Sequence, residues 1–311
     1  MSTTRSVLVT GGSGFIGQHV VRRLAQEGHA VTLLQRSDRH PAGVREVLRV
    51  PELTPASLRD LLRGKSFDWM VHMAGAGTHP ADRDIEILFR LNVDVTRALT
   101  AVSATWPARA VFVAGSGSEY APSVDHVPVV EKAPLEAHRV YAASKAAGTL
   151  SAVAIATALS LPLAVGRLFG VYGPGEAPHR LLPSLFGRLR AGARVALSTG
   201  EQQCDFVYVD DAVDAILRIL YALEHNPKAL IMNIAGGEAV SVRSFAETVA
   251  DVLGADRALL GFGDLPKRPD EISFFCGDPS LIYEYAGWKP RYDLRAGITR
   301  GVELLKQAQQ P

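Results

Sequence analysis

The sequence predicts an α/β protein: a doubly wound parallel sheet with a smaller α/β lobe at its C-terminal end. Three observations carry this. Residues 7–17 read VLVTGGSGFIG, a β-branched apolar run followed by Gly11, Gly14 and Gly17, with Ile16, Val20 and Leu24 then recurring at helical spacing. Short apolar runs alternate with amphipathic stretches as far as about residue 170, the pattern of parallel strands joined by crossover helices. Beyond that point the pattern is less regular, which divides the 311 residues into a first domain, 1–170, and a second lobe, 171–311.

Composition narrows the function classes. With 47% hydrophobic residues there is material for a packed core, and a net charge of +1 gives no electrostatic footprint for nucleic acid or an acidic membrane surface. The two cysteines, Cys204 and Cys276, do not form a disulfide framework, and no Cys/His spacing fits a metal site. No apolar run approaches the ~20 residues of a membrane span, and the first apolar run is only a strand long, which argues against a signal peptide. These features are those of a soluble, cytoplasmic protein.

The opening stretch has the order needed to hold a pyrophosphate. Glycines let the backbone turn tightly and approach the phosphates, and a helix N-terminus offers free N–H groups and a partial positive charge. The second strand, 30–34, ends at Gln35, Arg36 and Ser37, where the adenosine ribose of a dinucleotide lies. An acid there selects NAD; Arg36 instead suits the extra phosphate of NADP, so NADP(H) is favoured and NAD(H) is the alternative. A third strand is expected at 46–50, a helix at 56–63 and a fourth strand at 67–74. His72 in that apolar strand reads as a hydrogen-bonded core histidine. A single long helix is expected over 85–104, with Asn92 as a polar residue on its apolar side, either bracing a neighbouring loop or lying at the surface.

The fifth strand, 110–114, runs into Gly115-Ser116-Gly117-Ser118-Glu119-Tyr120, small hydroxyl residues where an open α/β sheet keeps its chemistry. Tyr141 and Lys145 then open a helix to about residue 159 and share one face of it. A phenol titrates near ~10 in isolation; a neighbouring ammonium lowers that value and suits the tyrosine to acid–base work. Further along, helices are expected at 181–190, 212–223 and 241–253, the last with Ser241 as N-cap, and strands at 195–197, 206–209 and 230–234.

Taken together, the glycine turn, Ser116 and the Tyr141–Lys145 spacing resemble an extended short-chain dehydrogenase/reductase, and more narrowly the nucleotide-sugar epimerase/dehydratase/reductase group. Residues 167–174 (RLFGVYGP), 205–211 (DFVYVDD), 268–271 (RPDE), Asp278 and the run Trp288-Lys289-Pro290 resemble that group's later motifs in order, so the likeness covers nearly the whole chain. It implies a Rossmann domain, segments at about 200–240 crossing back to it from the lobe, and a sugar bound in the cleft between the two. It implies a catalytic trio: Ser116 on the substrate oxygen, Tyr141 as general acid/base, and Lys145 lowering the tyrosine's pKa and holding the nicotinamide ribose. Cofactor contacts are implied at Gly11, Gly14, Phe15, Ile16 and Gly17 for the pyrophosphate, at Leu53, Ala74 and Gly75 for the adenosine and ribose, and at Val171 for the carboxamide. A homodimer through the 85–104 and 141–159 helices is also implied.

Departures from the motifs sharpen the reading. Gly117 and Ser118 stand where related 4,6-dehydratases carry acids, and Glu119 is one residue out of that register, which ranks a dehydratase low. Gly170 replaces an asparagine, and Cys204 replaces the arginine that grips a nucleotide diphosphate. Arg268 remains for that task, with Arg180 or Arg188 as compensating cations, and Cys204 reads as an ordinary small residue. The expected activity is an NADPH-dependent 4-ketoreductase acting on a nucleotide-linked deoxysugar. The alternatives are a nucleotide-sugar 4-epimerase with tightly held NAD and a cofactor-sensing protein without catalysis.

Overall fold

The computed structural model describes residues 4–36, 40–79, 82, 84–267 and 271–308. The N-terminal half builds six strands: β1 (Ser6–Thr10), β2 (Ala30–Gln35), β3 (Val44–Arg49), β4 (Trp69–His72), β5 (Ala110–Ser116) and β6 (Leu163–Leu168). Between them run α1 (Phe15–Gln26), α2 (Pro55–Leu61), α3 (Ile85–Phe89), α4 (Val95–Ser103) and α5 (Val140–Ala158). The remainder adds β7 (Gly170–Tyr172), α6 (Leu181–Arg190), β8 (Val195–Leu197), β9 (Gln203–Tyr208), α7 (Val209–His225), β10 (Ala229–Ile234), β11 (Ala239–Ser241), α8 (Val242–Leu253), β12 (Leu260–Phe262), β13 (Phe274–Phe275), α9 (Ser280–Ala286) and α10 (Leu294–Gln307).

The large sheet has the order β10-β6-β5-β4-β1-β2-β3, and its pairings are all parallel. The chain reverses direction across the sheet between β1 and β4, so the carboxyl ends of those strands flank the crevice where such folds bind ligands. Successive residues point to opposite faces, and both faces are covered, which is why the strands are apolar throughout. Val7, Val9, Val31, Leu33, Trp69 and Val71 join one core. Leu8, Leu34, Met70, Val111 and Val113 point the other way, into a second core under α2, α4 and α5.

A second sheet is centred on β9, which pairs with β7, β11 and β13, and a two-stranded ribbon joins β8 to β12. The crossing-back expected near 200–240 therefore starts at α7 rather than at residue 200: β9 stays in the small sheet, while β10 pairs with β6 at the edge of the large one. Arg5 forks onto Glu224 at the end of α7 (2.7 and 2.9 Å), and the Trp69 indole donates to the same carboxylate at 2.9 Å. These bonds fasten the returning helix to the bottom of β1 and β4.

The helix expected over 85–104 is interrupted. Residues Arg90–Asp94 form a π-helical turn between α3 and α4. The turn lies against Gly148 on α5: a Cβ there would run into the Asn92 carbonyl oxygen, so the two helices are in backbone contact at the turn. Such extra-residue turns re-aim a side chain inside an otherwise regular helix. Among the described residues, no helix is long and apolar enough to cross a membrane.

Candidate active site

The glycine turn closes the carboxyl end of β1. Gly11 adopts φ +70°, and a Cβ on it would lie 2.5 Å from the Ala74 backbone nitrogen, so only glycine fits. Gly17 lies against the Gly11 carbonyl with no room for a side chain. Gly14 is the exposed N-cap of α1, no side chain caps that end, and the first turn carries no acid. The N–H groups of this helix start are thus open to an anion. Phe15 and Ile16 form its half-buried first turn. The segment after β7 folds onto the same helix: the His19 imidazole meets the Pro174 carbonyl at 2.8 Å, and Gly175 lies against the Gln18 side chain.

At the end of β4, His72 is buried, with Nδ1 2.6 Å from Thr10 Oγ1 and Nε2 3.0 Å from Thr96 Oγ1. Burial, with the nearby Lys145 ammonium adding to it, pushes its pKa down to about 3, so it is a neutral core histidine. Ala74 and Gly75 follow it, half-buried and exposed respectively. Asn92, aimed inward by the π-helical turn, is buried and braces this loop: its side chain accepts from the Ala76 N–H (3.0 Å) and donates to the Ala76 carbonyl (3.1 Å) and to Ser144 Oγ (3.0 Å). Of the two readings open for Asn92, the brace is the one found.

Ser116 ends β5 and Tyr141 and Lys145 lie on the first turns of α5. The Ser116 side chain lies close enough to Tyr141 to favour its ionised form, so two members of the expected trio are neighbours. Lys145 Nζ donates to the Ala114 carbonyl on the same strand at 2.6 Å. The expected lowering of the tyrosine's pKa by the lysine is not found: burial raises the Tyr141 pKa, opposed by Ser116 and by the Arg180 charge, while the ammonium is directed to Ala114. Burial lowers the pKa of Lys145 itself. Gly77, from the loop after β4, lies flat against the Tyr141 ring.

The base of this site holds an ion pair that the spacing of motifs did not reveal. Glu119 is fully buried; Oε1 accepts from the Ser116 N–H (2.8 Å) and Thr149 Oγ1 (3.0 Å), and Oε2 accepts from Arg167 Nε (2.8 Å). Arg167 also donates to the Glu131 carbonyl at 3.2 Å and lies 4.4 Å over the Tyr120 ring. Both carboxylate oxygens have donors, and the guanidinium has two acceptors and a ring face, in keeping with what burying two charges requires. The signal was an arginine inside the apolar strand 163–168, LAVGRL.

The other expected contacts are spread around these two centres. Arg36 is exposed at the bend after β2; Ser37 lies outside the described residues. The Leu53 side chain is buried in the second core, leaving only its backbone to meet a ligand. Val171 sits in β7, in register with Val207. Arg180 is exposed at the N-cap of α6, 3.5 Å from the buried Glu176 carboxylate, and its charge reaches Tyr141. Arg188 is not brought to the site; it lies near the far end of α6 on the Arg194 carbonyl. Arg268 lies outside the described residues. Cys204 is half-buried in β9, and burial lifts its thiol to about 11, which leaves it unreactive.

Comparison with known proteins agrees with this geometry. Residues 7–235 match the model of the NAD dependent epimerase/dehydratase family. A dTDP-glucose 4,6-dehydratase from Streptomyces griseus is 31% identical over 318 aligned residues, which cover 96% of this chain and 93% of the relative. A dTDP-4-dehydro-6-deoxy-D-allose reductase from a Streptomyces species is 32% identical over 317, covering 94% of each. MoeE5 in complex with UDP-glucose and NAD superimposes with a TM-score of 0.85 at 27% identity, covering 98% of this chain and all of that one (100%). With the glycine turn on α1 and the Ser116, Tyr141 and Lys145 trio at the end of β5, the chain belongs to the NAD-dependent epimerase/dehydratase family, enzymes of the extended short-chain dehydrogenase/reductase type.

Proposed function

We propose that this enzyme reduces a keto group on a nucleotide-linked sugar, with NADPH as its preferred reductant. The observation that carries the reading is that Ser116, at the end of β5 two strands from the glycine turn, lies beside the buried Tyr141. The start of α1 fits a dinucleotide: open N–H groups, no acid in the first turn and no Cβ in the way. A nicotinamide dinucleotide held there supplies the hydride. Ser116 holds the carbonyl oxygen, and Tyr141, whose burial keeps it a protonated phenol, gives that oxygen its proton. Lys145, anchored to Ala114, fixes the turn of α5 that carries the tyrosine. Arg180, near Tyr141, supplies a cation toward a diphosphate where Cys204 offers none.

The nucleotide-sugar substrate is supported by the relatives, which are named for dTDP sugars, and by the solved neighbour, which holds UDP-glucose. The preference for NADP rests on Arg36 at the end of β2; NAD in the solved neighbour favours the second reading, a 4-epimerase that keeps NAD bound. One experiment separates them. Purified protein is denatured and any released nucleotide identified, and NADPH consumption is followed with a panel of 4-keto nucleotide sugars. Net consumption with no co-purified nucleotide is the expected result; released NAD and no consumption establish the epimerase. A homodimer and a cytoplasmic location complete the proposal, the former supported by exposed apolar residues on α3 and α5, Ile85, Ile87 and Leu150.

A further inference from the structure

The Glu119 carboxylate is bonded to each element that carries or flanks the trio. Oε1 takes the Ser116 N–H on β5 and Thr149 Oγ1 on α5, and Oε2 takes Arg167 Nε on β6. Thr149 lies one helical turn beyond Lys145, so the two share a face of α5. Lys145 donates to the Ala114 carbonyl. Two successive turns of α5 are thus tied to the end of β5, one through each of these bonds.

The end of β5 is shaped for this carboxylate. A Cβ at residue 115 would stand 2.9 Å from Glu119 Oε1 and 3.2 Å from Arg167 Cγ, so Gly115 leaves the room the pair occupies. The turn that follows holds Ser116 at two points. Its N–H goes to Glu119, and its Oγ accepts from the Ser118 N–H at 3.2 Å. With Oγ engaged as an acceptor, its own proton remains to be given to a substrate oxygen.

The charges around the carboxylate come from several elements. Arg167 meets it from β6, over the Tyr120 ring, and the Glu131 carboxylate nearby accepts from the Asn233 N–H at 2.8 Å. On α5 the negative charge of Glu119 reaches both Tyr141 and Lys145 and favours the protonated form of each. Arg180 acts on Tyr141 in the opposite sense, favouring the phenolate. His72, which feels the Lys145 charge from β4, is neutral.

We infer that Glu119 is a positioning residue of the reaction: one carboxylate holds the Ser116 backbone, α5 and β6 together and places a negative charge behind the acid–base tyrosine. Arg167 is the counter-charge that lets the carboxylate stay ionised in a buried place. The inference rests on the reductase reading above and adds a residue to that same site.

The test compares Glu119→Gln, Thr149→Val and Tyr141→Phe with the wild type, using NADPH and the 4-keto dTDP- or UDP-linked sugar that the wild type reduces fastest. Glu119→Gln keeps the size of the side chain and an oxygen for the Ser116 N–H, and removes the charge. Its kcat is expected to fall ~10–100-fold, as for a slightly misplaced reacting group, with KM and dinucleotide affinity unchanged. The alkaline limb of its kcat profile moves to lower pH, because a phenol relieved of a nearby negative charge ionises more readily. Thr149→Val keeps both charges and cuts one bond, so its kcat falls ~2–10-fold, on the scale of one hydrogen bond, with the limb in place. The same movement is read without turnover in the phenolate ultraviolet absorbance that Tyr141→Phe abolishes, titrated with and without the Glu119 substitution. If Glu119→Gln does not fold, its combination with Arg167→Met removes both charges and takes its place. A Glu119 variant as active as the wild type, or a fall in kcat with the limb and the phenolate absorbance unmoved, overturns the inference while the reductase reading stands. Wild-type activity in Tyr141→Phe overturns the reductase reading and this inference with it.

Discussion

Tyr141 shows how much of a catalytic residue's behaviour comes from its surroundings. Its phenol is held protonated by burial against Gly77, with Ser116 opposing that shift. Replacing it with phenylalanine keeps the ring contact with Gly77 and removes only the hydroxyl. Tyr141→Phe is therefore expected to lower kcat by at least ~100-fold with cofactor affinity unchanged, checked by steady-state rates and by dinucleotide titration. Arg36→Glu is expected to invert the NADPH-to-NADH ratio of kcat/KM, since it exchanges a phosphate partner for a group that repels one; an unchanged ratio means the residue plays no part in selection. His72 makes a statement about stability. Its pKa is about 3 in the fold and 6.5 in the open chain, so the unfolded state binds the extra proton between those values. The stabilisation is complete above about pH 6.5 and drains away as pH falls toward 3, at about 1.4 kcal/mol per unit. Urea unfolding of wild type and His72→Gln at pH 7 and pH 5 should show the wild type losing more over that interval.

The elements that were easiest to read in the sequence are those whose side chains obey one rule along their whole length. Strands β1, β2, β4, β5 and β6 are apolar on both sides because both faces of the sheet are covered, and α8 begins where Ser241 caps it, its hydroxyl accepting from the Ser244 N–H at 3.0 Å. The trio was legible for a similar reason: Tyr141 and Lys145 are one helical turn apart, and Ser116 ends a strand. What could not be read was set by partners far along the chain. Arg167 and Glu119 are 48 residues apart, and β11, β12 and β13 are only two or three residues long, too short for any period. The π-helical turn belongs here as well. Periodicity over 85–104 reads as one helix, and the residue packed against the extra turn sits on α5. Gly148, an internal helical glycine, was its trace, since such a residue costs about 1 kcal/mol against alanine unless something needs the space. Gly148→Ala is accordingly expected to destabilise the fold by ~1–3 kcal/mol rather than stabilise it, read as a lowered urea midpoint, because the methyl meets the Asn92 carbonyl.

At the scale of the molecule, two sheets share one chain in an interleaved order, and α7 is the piece common to both, packed from Val209 to Leu223 in the larger core. Its anchor, Glu224, answers Arg5 and Trp69 at once, so the last turn of α7 is pinned to residues 219 and 155 positions away in the sequence. Leu150 lies exposed on α5 while its neighbours face inward; Leu150→Arg is expected to convert the proposed homodimer to a monomer, seen as a halved mass in light scattering. A mass unchanged from wild type places the subunit contact elsewhere.

The placement of β10 has a further consequence, for the order of synthesis. The seventh strand of the large sheet is residues Ala229–Ile234, made only after the whole of α6, β8, β9 and α7. Until then β6, with Leu163, Ala164 and Val165 fully buried in the finished protein, is an open edge strand. A nascent chain that stops short of residue 234 therefore presents an apolar template to any passing strand. The molecule is vulnerable for as long as the ribosome takes to deliver the closing strand.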